Sequence, residues 1–393
     1  MTRVRDPIHD YIPLDAWAKE VIDGPRMQRL RRVHQLGSGS LVYPGAKHTR
    51  FEHSLGAYHL AGLAAAALDL PAPERKALQA AALLHDVGHG PFSHTSDPLY
   101  RDFLQRTHED VSAELVARPP IADILTRHGV DPAAVASLIH GEGPLADLVS
   151  GGLDVDRMDY VVRDAHYTGV NVGVDLRRLV TDIRLTPRGV ALGHGSLPAA
   201  EMLLVTRLQM YATVYFHRTL RAGERMLERA LRLALEAGEI KPEQLPTMDD
   251  IAATMLLRHS KTDAWRLMLG VDQRKLLKVA LEEPLSDFRE DALADVAQSA
   301  ARQSALEREI AAAIGLAPHE VIVDVPEPPR HDRQTALVAM EDGRLVDLAE
   351  VSSLVRALAS AERDHWRLRV MVPASRREQA AGVAGRILAR ELG

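Results

Sequence analysis

One stretch of the sequence decides the interpretation of this chain: Ala81-Ala82-Leu83-Leu84-His85-Asp86-Val87-Gly88-His89-Gly90. In it, an apolar run ends in an adjacent histidine and aspartate. The pattern predicts a helix over residues 74–87, with Ala and Leu in its middle and Gly88 as its C-terminal stop. His85 and Asp86 would then lie at the buried end of an apolar helix, where an unpaired charge is costly. A bound metal ion would compensate that charge. The alternative is an ordinary core histidine beside a helix-end carboxylate that bonds to nearby backbone.

Composition narrows the chemistry that such a site can use. The 393 residues are 46% hydrophobic but only 4% aromatic, so the core is expected to consist largely of Leu, Ala and Val. The chain contains no cysteine, which excludes disulfides, thiolate metal sites and cysteine nucleophiles. Any metal must therefore be held by histidine and by aspartate or glutamate.

The charge and hydropathy patterns predict a soluble, cytoplasmic protein without a membrane partner. Residues 1–11 are charged and contain proline, unlike a signal peptide, and no apolar run approaches the length of a bilayer span. The net charge of -6 argues against indiscriminate nucleic-acid binding, although a local basic patch could still hold phosphates. Most histidines lie at or before His217, so the chemistry is expected in that part of the chain.

Helical periodicity dominates the chain up to residue 316, and the pattern changes after it. Helices are predicted at 16–22, from 26 onward, and at 50–70, 74–87, 109–117, 121–128, 154–164 and 198–237, followed by a linker at 241–250 and mostly helical chain to 316. Extended segments or hairpins are predicted at 6–14, 183–192, 320–325, 335–340 with 344–347, and 366–372, with helices at 351–361 and at the C-terminus. The predicted fold class is mostly α, a helical bundle with a small C-terminal α+β lobe, divided into a core over 1–240, a helical extension over 241–316 and the lobe over 317–393.

Candidate metal ligands occur on three separate predicted helices. They are His53, the His85-Asp86 pair and an aspartate of the segment Asp154-Val155-Asp156. Imidazole and carboxylate suit a divalent ion, and an open coordination site leaves positions for water and substrate. In order and approximate layout, this set resembles the HD-domain phosphohydrolases from Asp6 through about His217.

Further blocks narrow the resemblance to the deoxynucleoside triphosphate (dNTP) triphosphohydrolases, in the subgroup of the animal SAM-and-HD-domain enzyme and its bacterial relatives. The blocks are Asp6-Pro7-Ile8-His9, Gln35-Leu36-Gly37, Tyr43-Pro44-Gly45-Ala46, Arg50-Phe51-Glu52-His53-Ser54-Leu55-Gly56, residues 85–94 and Asp154-Val155-Asp156. The sterile-motif domain of the animal enzyme is absent from this sequence. The chain departs from the family pattern at Asp10, where a glycine is expected, at residues 37–40, which lack aromatic side chains, and at Arg157, which replaces a lysine.

The resemblance implies a metal-dependent site, within an HD phosphohydrolase core, that converts a dNTP to a deoxynucleoside and tripolyphosphate. The metal ligands would be His53, His85, Asp86 and Asp156, holding one divalent ion whose identity among Mn, Mg, Fe, Zn and Ni stays open. The catalytic cluster near the α-phosphorus would be His94, Asp97 and His108. The substrate-binding positions would be Gln35, Arg50, His89, Arg157, Tyr160, Asp164, Arg207 and Tyr215.

Several of these positions also have a simpler structural explanation. His94 lies in a predicted loop and could cap a neighbouring helix, whereas His108 follows a predicted helix cap and could be exposed to solvent. Tyr160 and Asp164 are four residues apart on one helical face and could form a surface pair. Tyr215 could belong to the core.

Three residues near the N-terminus point to regulation. Asp23, Gln28 and Arg31 match positions that read a guanine base at a regulatory site between subunits of the animal relative. The resemblance therefore implies a GTP or dNTP activator and a homo-oligomer, either a dimer or a tetramer. The same residues lie on a predicted basic helix, for which a solvated surface is the simpler explanation.

Two other functions stay open on the sequence alone. An HD phosphatase or phosphodiesterase could act on another nucleotide and would not release tripolyphosphate. A nucleotide-sensing or nucleic-acid-binding module would keep the fold with little catalysis, but the complete set of predicted ligands argues against it.

Overall fold

The computed structural model describes residues 2–326 and 336–393, so Thr335, at the start of a predicted hairpin strand, lies outside the described residues. The helices are α1 (Ala16–Ile22), α2 (Pro25–Arg29), α3 (Arg50–Ala67), α4 (Ala72–Leu84), α5 (Asp97–Leu99), α6 (His108–Val116), α7 (Ile121–Arg127), α8 (Pro132–Ile139), α9 (Asp147–Ser150), α10 (Val155–Thr168), α11 (Leu176–Thr181), α12 (Leu197–Met210), α13 (Arg218–Glu236), α14 (Asp250–Arg258), α15 (Ala264–Asp272), α16 (Glu290–Gln298), α17 (Ala300–Ile314), α18 (Leu348–Val351), α19 (Ser353–Arg363) and α20 (Arg377–Leu392). The strands are β1 (Thr2–Asp6), β2 (Asp10–Leu14), β3 (Ile183–Thr186), β4 (Gly189–Gly193), β5 (Lys278–Pro284), β6 (Ile322–Asp324), β7 (Leu337–Ala339), β8 (Leu345–Asp347) and β9 (Arg367–Val372). The mostly helical fold class is confirmed.

The strands of the described residues form small sheets of two, four and three strands, in the orders β1-β2, β3-β4-β7-β8 and β5-β9-β6. All neighbours are antiparallel except β4 and β7, which run parallel with Leu192 opposite Val338. The hairpins predicted at 6–14 and 183–192 are confirmed, as is the pairing around Gly343.

The chain divides into two compact units. The first contains the described residues of 1–210, 245–250 and 330–358, and the second those of 211–244, 251–329 and 359–393. The second unit has its own core, in which the sheet β5-β9-β6 and helices α16, α17 and α20 bury Ile310, Val370 and Leu388. The domain boundaries predicted at 240 and 316 differ from the unit limits and stay a prediction.

The core of the first unit is built on α3, α4 and α10. Thr49 and Glu52 form a capping box that fixes the start of α3, because the Glu52 carboxylate accepts the Thr49 backbone N–H at 2.9 Å. Fully buried alanines on α3 and α4 let the two helices approach closely, and leucines fill the space around them. These buried residues include Ala61, Ala64, Ala80, Ala81, Leu60, Leu78, Leu83 and Leu84. The packing brings one turn of α3 and the C-terminal end of α4 to the same place.

The end of α4 differs from the prediction. The helix stops at Leu84, so His85 is its C-terminal cap and Asp86 lies in the following turn rather than inside a helix. Gly88 has a different role from the expected stop. A Cβ there would lie 2.4 Å from the His108 backbone oxygen and 2.6 Å from the Ser112 backbone nitrogen, so only glycine permits α6 to pack this closely.

Two further elements were predicted wrongly. Residues 278–284 form strand β5 within a stretch expected to be helical, because pairing with the buried strand β9 overrides the helix-forming Ala, Leu and Glu of this segment. The helical stretch expected over 198–237 with little interruption is divided into α12 and α13 by the π-helical turn Tyr211–Tyr215. Among the residues that the structure describes, no helix is long and apolar enough to cross a membrane.

Candidate metal centre and active site

Four predicted ligands converge in the first unit. His53 lies in the first turns of α3, His85 and Asp86 follow α4, and Asp156 lies in the first turn of α10. His53 Nε2 is 2.9 Å from Asp156 Oδ1 and 3.6 Å from Asp86 Oδ2. His85 Nε2 is 3.3 Å from Asp86 Oδ1 and 3.6 Å from Asp156 Oδ1. The ligand atoms of His53, His85 and Asp86 lie within 4.8 Å of one another, a separation that one ion could span, and Asp156 lies beside both imidazoles.

The outer nitrogens of both imidazoles are already engaged. His53 Nδ1 donates to Asp159 Oδ2 at 2.8 Å, and His85 Nδ1 donates to the Ala82 carbonyl at 2.9 Å. These bonds leave the Nε2 atoms directed at the site, as in metal-binding histidines. Neither Nε2 atom forms a hydrogen bond with any residue that the structure describes, although both are buried. The donor set thus fits a divalent ion bound by imidazole and carboxylate.

A buried network holds Asp159 in place beneath His53. His9 Nε2 lies 2.6 Å from Asp159 Oδ1, and Arg163 Nε donates to Asp159 Oδ2 at 2.8 Å. Arg163 Nη1 also donates to Asp6 Oδ2 at 2.9 Å, and Asp159 and Arg163 are both fully buried. The block Asp6-Pro7-Ile8-His9 was recognised in the sequence, but its role in supporting His53 was not. The N-terminal hairpin therefore helps to orient His53, a candidate metal ligand.

The electrostatics of the centre favour a cation. Burial opposes ionisation of Asp86, but Arg50, His85 and His89 outweigh it and hold the pKa of that carboxyl well below its usual range. Burial also opposes protonation of His53, yet Asp156 and Asp159 raise the pKa of His53 to about 10. The carboxylates thus create a negative potential that a metal ion would neutralise.

The second cluster is formed by His89, His94, Asp97 and His108, whose ligand atoms lie within 4.8 Å of one another. Asp97 uses both carboxylate oxygens, because Oδ2 is 2.8 Å from His94 Nδ1 and Oδ1 is 3.3 Å from His108 Nδ1. The His89 ring stacks on the His108 ring with centroids 3.7 Å apart. His89 Nε2 also lies 3.3 Å from Asp86 Oδ1, which joins this cluster to the metal centre.

Two histidines of this cluster, His108 and His89, differ in protonation state. Burial opposes protonation of His108, but Asp97 and Glu109 outweigh it and raise the pKa of His108 to about 9. Burial, Arg50 and His108 lower the pKa of His89 far below its usual range, so His89 is neutral. The solvent exposure proposed as the simpler explanation for His108 is wrong, because its side chain is only 13% exposed. The His94 side chain is 67% exposed to solvent.

Arg50 bridges the two clusters. Its side chain is buried, Nε donates to Ser93 Oγ at 2.6 Å, and Nη1 donates to Asp86 Oδ2 at 2.6 Å. Nη2 makes no hydrogen bond with the described residues. A guanidinium with a spare donor beside a metal centre is suited to a phosphate oxygen.

The other predicted substrate residues are placed less uniformly. Arg157 donates to the Gly152 carbonyl, and the Tyr160 ring centroid lies 6.4 Å from that of His53, close to the metal centre. Asp164 is not part of a surface pair with Tyr160, because it is buried and bonded to His48 Nε2 at 2.8 Å. Three further predicted residues are Gln35, which is buried in the first unit, Arg207, which is half-buried on α12, and Tyr215, which belongs to the second unit.

The three predicted regulatory residues lie at and near α2. Asp23 Oδ2 accepts a bond from Lys19 Nζ at 2.7 Å, and Gln28 Nε2 donates to the Ile22 carbonyl at 2.8 Å. Arg31 Nε donates to Gln28 Oε1 at 3.0 Å. Their regulatory role stays a prediction.

Comparisons with known proteins agree with this site. Residues 50–164 match the HD domain, and residues 174–391 match the HD associated region. The chain is 30% identical to an uncharacterized protein of Methanocaldococcus jannaschii over 382 residues, which cover 95% of this chain and 79% of that protein. It is also similar to a crystal structure of a phosphohydrolase from Bacteroides thetaiotaomicron, with a TM-score of 0.75 and 26% identity, covering 95% of this chain and 100% of that one.

A relative with a named activity matches only in part. The human deoxynucleoside triphosphate triphosphohydrolase SAMHD1 is 35% identical over 226 residues, which cover 47% of this chain and 36% of the human protein. The chain thus spans about a third of that enzyme's length. Because the HD domain and its associated region together match most of the sequence, and the archaeal relative matches nearly all of it, the chain belongs to the HD-domain phosphohydrolase family and, within it, resembles the dNTP triphosphohydrolases.

Proposed function

We propose that this protein is a metal-dependent nucleotide hydrolase that converts a dNTP to a deoxynucleoside and tripolyphosphate. The observation that carries the proposal is the junction of the two clusters, where Asp86 contacts both Arg50 and His89. This junction supports the proposal, because phosphoester hydrolysis needs a cation, a guanidinium for a phosphate oxygen and a proton-moving pair close together. The similarity to an enzyme named for this reaction supports the choice of substrate.

The residues divide the reaction between them. His53, His85, Asp86 and Asp156 would hold a divalent ion, which when bound polarises a phosphoryl oxygen and lowers the pKa of a water ligand. Arg50 would bind a phosphate oxygen with its remaining donor and neutralise negative charge on the phosphate oxygens. Hydrolysis forms one P–O bond to water and breaks the bond from the α-phosphorus to the 5′ oxygen, which leaves with a proton. His94, paired with Asp97, and the protonated His108 would move protons during this exchange.

The remaining assignments complete the proposal. Gln35, Arg157, Tyr160, Asp164, Arg207 and Tyr215 would shape the binding of sugar and polyphosphate. Asp23, Gln28 and Arg31 would take part in activation by GTP or a dNTP in a homo-oligomer, a dimer or a tetramer. A cytoplasmic location is the natural setting for such an activity.

Product analysis tests the function. Protein reconstituted separately with Mn, Mg, Fe, Zn or Ni is incubated with the four dNTPs, singly and mixed, and the products are separated by chromatography. Deoxynucleoside and tripolyphosphate are the expected products, and turnover confined to mixtures would support activation. Release of a monophosphate, pyrophosphate or orthophosphate would instead assign the protein to a phosphatase or phosphodiesterase class. Tight nucleotide binding without turnover would indicate a sensor.

The pH dependence tests the role of His108. Because Asp97 and Glu109 raise the pKa of His108 to about 9, its proton is retained at neutral pH and hydrolysis should decline above about pH 9. The stability of the fold should depend on pH in the same direction. The pKa of His108 in the folded protein exceeds its unfolded value of about 6.5. Protonated His108 therefore stabilises the fold fully below the unfolded pKa, and this contribution is lost as the pH rises through about 9.

Profiles of kcat against pH should therefore lose their alkaline limb in His108→Gln. His166→Ala is the control, since His166 is exposed on α10. A descending limb at the same pH in His108→Gln as in the unmodified protein would contradict the assignment.

A further inference from the structure

The loop over residues 88–97, here called the catalytic loop, contains a strained turn. Phe92 and Ser93 have φ values of 60° and 61°, a left-handed conformation that side chains other than glycine rarely adopt. The same loop carries His89 and His94, and Ser93 Oγ accepts the bond from Arg50 Nε. Such a conformation persists only where surrounding contacts hold it.

The contact that holds it comes from far along the chain. Asp250 Oδ1 accepts the backbone N–H of Phe92 at 2.7 Å. Asp250 Oδ2 accepts the backbone N–H of His34 at 3.0 Å and lies 2.6 Å from His34 Nδ1. The carboxylate is only 7% exposed, so these bonds compete little with water.

The contacts of Asp250 close a ring around the active site. His34 forms a backbone bridge with Thr49, and the Arg50 backbone N–H donates to the Val33 carbonyl at 3.0 Å. The Arg50 side chain in turn donates a hydrogen bond to Ser93 in the catalytic loop. One carboxylate thus fixes both the loop and the strand-like segment that positions the start of α3.

A neighbouring arginine reinforces the same contact. Arg29 Nη2 donates to the Val87 and His89 carbonyls at 2.9 and 2.7 Å, and Arg29 Nη1 donates to the Met248 carbonyl at 2.6 Å. Residues 245–250, predicted from the sequence to be a linker, therefore pack against the catalytic loop within the first unit.

We propose that Asp250 is a positioning residue of the active site, which holds the left-handed turn at Phe92 so that Ser93, His94 and Arg50 keep their places. Asp250 lies in the part of the chain that matches the HD associated region, outside the match to the HD domain. The associated region therefore supplies a residue that the catalytic loop needs. The effect on turnover rests on the proposed function, whereas the effect on the loop does not.

Hydrogen exchange on the full-length, metal-loaded protein tests the proposal. Asp250→Ala removes all three contacts, and amide exchange in residues 88–97 should become about tenfold faster or more. Metal content should not change, because Asp250 touches none of the four ligands. The value of kcat for dNTP hydrolysis should fall about tenfold or more, while KM changes about twofold at most. Asp250→Asn keeps one oxygen that can accept the Phe92 N–H. Its loop exchange rate and its kcat should therefore lie between those of Asp250→Ala and the unmodified protein.

Asp249→Ala is the comparison variant at the neighbouring residue, because the Asp249 carboxylate pairs with the half-exposed Arg32 at 2.6 Å. It should leave loop exchange and kcat close to those of the unmodified protein. Unchanged exchange in folded Asp250→Ala, or an equal effect of Asp249→Ala, would overturn the proposal.

If Asp250→Ala does not fold, the Asp250→Asn variant decides the question. Faster amide exchange confined to residues 88–97 and 33–35 supports a positioning role for Asp250, and no change or a change throughout the chain refutes it. If the unmodified protein hydrolyses no dNTP, the proposed function fails while the exchange result still stands.

Discussion

The double variant His85→Ala/Asp86→Ala is expected to bind no divalent metal and to lose hydrolytic activity. Both residues lie between α4 and the catalytic loop and face His53 and Asp156. Loss of a group that merely supports a ligand lowers metal affinity or activity by about 10–100-fold, so removal of two ligands should lower both by at least about a hundredfold. Elemental analysis after dialysis and product chromatography measure the two effects.

Asp156→Ala separates loss of metal from loss of folding. Asp86 accepts a bond from the buried Arg50, so removal of Asp86 leaves that guanidinium without its carboxylate partner and costs stability as well. The Asp156 side chain is 33% exposed, and its removal disturbs the core less. Metal content should again collapse, with circular dichroism unchanged, while His166→Ala on the same helix retains metal. Stoichiometric metal in Asp156→Ala would contradict the assigned centre.

Gly56→Ala should be strongly destabilising, although alanine favours a helix by about 1 kcal/mol over glycine. A Cβ at residue 56 would lie 1.9 Å from Asp159 Oδ1 and 2.5 Å from Arg163 Nη2. The buried pair that supports His53 would have to separate, and breaking such a pair costs about 3–5 kcal/mol. Urea unfolding monitored by circular dichroism should show an earlier midpoint, and metal affinity should fall about tenfold or more because His53 loses its support.

Gly62→Ala provides the control on the same helix. Its Cβ would approach only Gln79 Nε2, at 2.7 Å, which is the far end of a flexible side chain. Stability should therefore stay within about 1 kcal/mol of the unmodified protein. Equal midpoints for Gly56→Ala and Gly62→Ala would show that the Asp159–Arg163 pair is not needed for the fold.

The candidate site residues are the part of this protein that the sequence predicts most directly. Histidines and carboxylates in an apolar setting without cysteine limit the metal donors, and the order of the blocks around His53, His85 and Asp156 points to one family. The structure brings these residues together as predicted, and it places His94, Asp97 and His108 beside them. Local patterns also predicted α1 with its observed bounds and the hairpin of β3 and β4.

The pairing of strands that lie far apart in the chain could not be predicted from the sequence. Strand β5 forms because β9 offers it a partner, and the hairpin of β7 and β8 joins the first unit because β7 runs parallel to β4. Neither partner is close in sequence, so no local pattern reports it.

By itself, the sequence determined which side chains are candidates to bind a metal and a phosphate, because residue type limits charge and donor atoms wherever the chain folds. Only the tertiary structure decided how those side chains are held. Asp159, Arg163 and Asp6 support His53 from α10 and the N-terminal hairpin, and Asp250 holds the catalytic loop from 158 residues away. These supports depend on buried hydrogen bonds between distant segments, which form only after packing has removed water and placed donor against acceptor.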